Sequence, residues 1–144
     1  MSLYLKNLSY EFYSKGKIGL EAELQRIAYK FVPTPNVFEL VYNDIEGIIV
    51  MENLNSSCLA DIYGDDPADI PIEIWEQIHE IIKTLYEKAN IEYIDITPYN
   101  FIEKENKVYI IDFGHAYYKN QHTKTNWFLQ DFLDGLNEWN PDFR

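Results

Sequence analysis

Ile70, Ile74, Ile78, Ile81, Ile82 and Leu85 recur at helical spacing in a chain that otherwise changes character every few residues. One face of a helix this apolar must be buried, so the remaining elements have to supply a layer that covers it. Upstream, Leu20, Leu24, Ile27, Ala28 and Phe31 predict another helix, stopped at Pro33-Thr34-Pro35 because proline cannot continue the hydrogen-bond ladder. Val37 to Tyr42 alternates apolar and polar residues, Asn43-Asp44 turns the chain, and Gly47 to Met51 is apolar and β-branched, which together predict two antiparallel strands. After the loop at Asp65-Asp66-Pro67 and the long helix, short β-rich runs begin at Ile91. A strand over Lys107 to Asp112 is entered through the polar turn Glu103 to Asn106, and Trp127, Phe128, Phe132 and Leu136 place a last helix over Trp127 to Leu136.

At 144 residues, with 47% hydrophobic and 16% aromatic content, the chain can fill one continuous core, and no repeat or linker divides it. The expectation is an α+β fold in a single domain spanning 1–144. Twenty-four acidic against 12 basic side chains give a charge of -12, which repels nucleic-acid phosphate and anionic membrane and leaves a basic macromolecule as the better partner. The lone Cys58 cannot form an internal disulfide, and no stretch reads as a signal peptide or membrane span. A reducing, cytoplasmic setting is expected, with Cys58 acting as a small apolar side chain. His79, His115 and His122 lack the spacing of a shared zinc site, and Trp75, Trp127 and Trp139 read as core or interface rings.

Chemistry concentrates between Ile91 and Tyr117. Asp95 is followed five positions later by Asn100, and twelve positions further on Asp112-Phe113-Gly114 ends the apolar run Val108 to Ile111. Three oxygen ligands on adjacent loops suit phosphoryl transfer, which needs phosphates and metal held in place and a carboxylate to orient the attacking hydroxyl.

This order and spacing resemble the catalytic loop H-R-D-x-x-x-x-N and the Asp-Phe-Gly of the protein-kinase superfamily. The resemblance implies a minimal protein-kinase-like fold with a reduced N-terminal lobe (1–52) and a small helical C-terminal lobe (53–144). It implies ATP and Mg2+ as ligands, Asp95 as the base, and Asn100 and Asp112 as metal ligands. Glu21-Ala22-Glu23-Leu24, Val32-Pro33-Thr34-Pro35 and Gly47 to Glu52 further resemble the helix, linker and interlobe hinge of the small atypical kinases of the RIO type and of the KEOPS tRNA-modification complex. On that likeness Glu23, with Glu21 as the other candidate, pairs with the phosphate-binding lysine, and Met51-Glu52 meets adenine. Asp131 resembles the aspartate that braces the catalytic loop.

The pattern also departs from the family. Met1 to Gly19 lacks G-x-G-x-x-G and is too short for a glycine hairpin, a lysine strand and a turn into the helix, so the phosphate cover is expected to be missing or replaced. Lys6, Lys15 and Lys17 are all candidates for the phosphate lysine. Tyr93 and Ile94 replace the catalytic-loop histidine and arginine, and Thr97 replaces the lysine two after the aspartate, as it does in the small atypical kinases. Thirty positions after Gly114 leave no room for a full activation segment and peptide-binding helices. The sequence therefore predicts an ATP/Mg-dependent phosphotransferase acting on a protein serine or threonine, with two alternatives. One is a kinase of small molecules; the other is a pseudokinase that docks on a partner kinase or substrate, with oligomer formation open.

Overall fold

The computed structural model describes residues 2–143. Strand β1 (Leu3–Ser9) leads through a tight turn to α1 (Lys15–Ala28), and β2 (Val37–Tyr42) and β3 (Glu46–Glu52) follow as an antiparallel hairpin. The three strands form one antiparallel sheet in the order β1-β3-β2, with Lys6 opposite Ile49. Residues 3–14 hold a lysine-bearing strand and its turn into the helix. No glycine-rich hairpin forms among the described residues.

Helix α1 begins five residues before its apolar stripe because Ser14 caps it, its hydroxyl accepting from the Lys17 amide at 3.1 Å. Ile18 and Ala22 pack under the sheet with Leu8, Val37, Ile49 and Met51, while Leu24 and Ala28 join a second, larger core. That core is built around α3 (Ile72–Lys88), whose Ile74, Ile78, Ile81, Ile82 and Leu85 are all buried. Helix α3 stops where Asn90 turns left-handed at φ 57°, a conformation asparagine tolerates better than most residues.

Short α2 (Leu59–Tyr63) precedes α3, and β4 (Ile91–Glu92) follows it. β5 (Phe101–Lys104) and β6 (Lys107–Ile110) form a hairpin whose two turn residues, Glu105 and Asn106, both have positive φ (52° and 66°). Such a turn matches the right-handed twist of the strands and fixes their register. β7 (Tyr117–Tyr118) pairs with β4, and α4 (Trp127–Leu133) closes the core. α4 ends three residues before the predicted Leu136, which is 72% exposed and adds nothing to the buried stripe.

The post-α1 linker joins the two halves. The Thr34 hydroxyl donates to the Ile110 carbonyl at 2.6 Å, and the Ile110 amide donates to the Pro33 carbonyl at 3.0 Å. β6 is thereby held at a fixed height beneath the sheet. No helix among the described residues is long and apolar enough to cross a membrane.

Candidate active site

Three connections bring the loop at 94–100 and the Asp-Phe-Gly turn together. Asn100 donates its side-chain amide to the Asp95 carbonyl at 2.9 Å, closing the loop on itself. The Asn100 carbonyl accepts from the Ile111 amide at 2.9 Å. Tyr93, fully buried, places its hydroxyl 2.6 Å from the Ile111 carbonyl and 2.8 Å from that of Asp112. Tyr93 therefore clamps one loop to the other, a role legible in the sequence only as a missing histidine. Tyr93→Phe is expected to cost about 1–3 kcal/mol, the penalty for leaving buried carbonyls unpaired, as read from urea denaturation.

The backbone at Asp112 is left-handed, with φ 63°. Gly114 does not take a positive φ; its value lies in its lack of a side chain. A Cβ there would stand 3.0 Å from Glu21 Oε1 and 3.2 Å from Asp112 Oδ1.

Of the three candidate lysines, Lys6 is the one that meets both Glu21 and Asp112. Its Nζ lies 2.5 Å from Glu21 Oε2 and 3.1 Å from Asp112 Oδ1, and these are the salt bridges found among the described residues. Lys15 and Lys17 instead lie over the rings of Tyr10, Tyr42 and Tyr13. The glutamate that meets the lysine is Glu21; Glu23 points elsewhere and accepts from the Tyr118 hydroxyl. Burial works against the Lys6 ammonium, but Glu21 and then Asp112 outweigh it and hold its pKa above 10.5. Burial likewise pushes the Glu21 carboxyl above its ordinary 4.5 against the pull of Lys6, so Glu21 bears the desolvation cost of a lysine that stays charged. Asp112 goes the other way: burial would raise it, yet Lys6 and the Gly114 amide hold it below 3.8.

Asp95, 8% exposed, has its carboxyl pushed up by burial, with Asn100 opposing and the nearby Asp112 charge adding to the rise. Two carboxylates with opposite shifts share one site, Asp112 fixed as an anion and Asp95 more basic than usual. Both hydrogen bonds to the Asp112 carboxylate, from Lys6 and the Gly114 amide, fall on Oδ1. Among the described residues Asp112 Oδ2 and the Asn100 side-chain oxygen accept no hydrogen bond. One carboxylate and one amide oxygen fit a magnesium ion, which takes few protein ligands and fills its octahedron with water and phosphate oxygens.

A cleft opens between sheet and core beside this group. Tyr4, Lys6, Gln25, Met51, Glu52 and Asp112 line it, so the predicted hinge residues do face it. Buried Gln25 steadies that wall, donating to the Pro35 carbonyl at 2.9 Å and reaching Met51 Sδ at 3.5 Å. Asp131 makes no hydrogen bond to the 94–100 loop among the described residues. Asn140 does, through its side-chain amide to the Ile94 carbonyl and its backbone amide to the Ile96 carbonyl, both at 2.8 Å. No spacing rule connects Asn140 to that loop, because it arrives there only when the tail folds back.

Sheet, capped helix, linker, cleft and paired carboxylates together define a reduced protein-kinase-like fold of the atypical kind. The family model described as RIO domain matches residues 21–136, and the chain belongs to that family. It is 36% identical over 97 residues to the KEOPS complex subunit Bud32 of Pyrococcus abyssi, covering 67% of this chain and 43% of that protein. It is also 30% identical over 90 residues to the probable serine/threonine-protein kinase BUD32 homolog of Archaeoglobus fulgidus, covering 62% of this chain and 40% of the relative. The chain thus spans about two fifths of the length of these curated relatives.

Proposed function

We propose that the chain is an ATP- and magnesium-dependent phosphotransferase whose acceptor is a protein serine or threonine hydroxyl. The observation that carries this reading is the convergence of Lys6, Glu21 and Asp112 at the mouth of the cleft, beside Asp95 and Asn100. Lys6 binds phosphate oxygens and Glu21 orients it. Met51 and Glu52 offer hinge backbone to adenine, and Asp112 and Asn100 hold the metal. Magnesium, when bound, neutralises charge between the phosphates. Asp95 aligns the acceptor hydroxyl and takes its proton as the new phosphate ester bond forms and ADP leaves. The protein acceptor rests on the serine/threonine-kinase name of one relative, and membership of a protein complex on the KEOPS name of the other.

A second reading, a pseudokinase that regulates a partner without turnover, draws on one observation: no glycine-rich hairpin forms among the described residues. Thermal unfolding with nucleotide tests the first reading. ATP with magnesium at a hundredfold excess over Kd should stabilise the native state by about 2.7 kcal/mol, several degrees in melting temperature. ATP with chelator should give a smaller shift, and Asp112→Asn should erase the difference, since that carboxylate supplies the charge that holds a hard cation. Equal shifts with and without metal would remove the site.

A further inference from the structure

We propose that the outward face of the N-terminal sheet is a docking surface for a protein presenting an apolar patch ringed by lysine and arginine. The register places Leu5, Val50 and Glu39 in one cross-strand row and Asn7, Ile48 and Val41 in the next, with Leu3 beside Glu52. Alternation turns these side chains away from α1, because the intervening Leu8, Ile49 and Met51 are buried against it. An outward sheet face in a solvated protein ordinarily reads polar. Here Leu3 and Leu5 are 52% and 53% exposed, Val41 is 38% exposed, and half-buried Ile48 and Val50 join them into a continuous apolar strip. Contiguous apolar surface with a polar rim marks an interaction site rather than ordinary surface.

Charge selects the occupant. Glu39, Glu46 and Glu52 border the strip, no outward position on the three strands carries Lys or Arg, and none of the three glutamates forms a salt bridge among the described residues. Lys6, the one cation on these strands, points inward to Glu21 and Asp112. A second copy would bring the same three glutamates against themselves in a chain of charge -12, whereas a basic partner complements them. Of the residues on this face only Glu52 also lines the cleft, so the inference stands whether or not the chain transfers phosphate.

The test is a titration followed by two-dimensional amide NMR, using short synthetic peptides of alternating leucine and lysine, serine and lysine, or leucine and glutamate. The leucine-lysine peptide should shift amides of residues 3–7, 39–41 and 48–50, binding about tenfold or more tightly at ~0.05 M than at ~0.5 M salt. Leu5→Ser with Val50→Ser should abolish those shifts. As Val50 is half-buried, Leu5→Ser with Val41→Ser serves if the first pair unfolds the sheet. Glu39→Lys with Glu46→Lys should transfer preference to the leucine-glutamate peptide. Equal binding of the serine-lysine peptide, shifts centred on the cleft, or shifts scattered over the whole surface would overturn the proposal. So would self-association in sedimentation that Leu5→Ser abolishes, which would give the face to a second copy.

Discussion

Asp95→Asn is expected to lower phosphotransfer by about 10²- to 10⁴-fold while leaving nucleotide affinity nearly unchanged, because in the proposed reaction the carboxylate acts on the acceptor hydroxyl and not on ATP. The same substitution should raise stability. In the folded protein burial lifts the Asp95 pKa above its ordinary 3.8. Below that ordinary value both folded and unfolded forms are protonated and no penalty exists. As pH rises through the folded pKa the fold must hold a buried anion, and stability is lost. A neutral amide at this position escapes that cost, so the melting-temperature gain of the variant should be present at pH 7 and vanish below pH ~4, with about 3 °C per kcal/mol relieved. Joint loss of affinity and rate, or a destabilised variant at neutral pH, would show that Asp95 serves the fold.

Phe101→Ala should cost about 3–5 kcal/mol, the largest stability loss among the changes considered, and lower the melting temperature by roughly 10 °C. Phe101 is fully buried, with its ring 6.4 Å from both Tyr93 and Trp139. It follows Asn100 directly, so the cavity opens at the base of the 94–100 loop. Urea denaturation gives the number; a loss under about 1 kcal/mol would mean that neighbouring rings collapse into the space and hold the loop unaided.

The elements with strong local periodicity were legible in the sequence. α3, the β2–β3 hairpin and the β5–β6 turn follow from spacing and turn chemistry, and Asp95, Asn100 and Asp112 stand out because one short stretch contains them. Choices that depend on three-dimensional burial were not legible. Glu21 and Glu23 both lie at the margin of the apolar stripe of α1, but that helix is covered on two sides, by the sheet at Ile18 and Ala22 and by the larger core at Leu24 and Ala28. The margin on the Glu21 side is therefore interior, at 4% exposure. Lys6 could be preferred over Lys15 and Lys17 only once the register of β1 on β3 turned it inward. Asn140 lay beyond reach for the same reason, since its contacts cross more than forty positions of sequence.

The bond between Lys6 and Asp112 joins residues 106 positions apart, whereas Lys6 and Glu21 are only 15 apart. Closing the short loop costs little entropy, and the long one waits for nearly the whole chain. During synthesis the lysine and its glutamate can meet early, while Asp112 is still to be made. The β5–β6 hairpin is local and can form as soon as it emerges, but without a docked sheet it holds Asn100 beside no ammonium. The Lys6–Asp112 contact thus arises late on the folding path, after both halves have closed on each other, and under the proposed function a stalled or clipped chain that retains most of its helix content would fail to capture nucleotide.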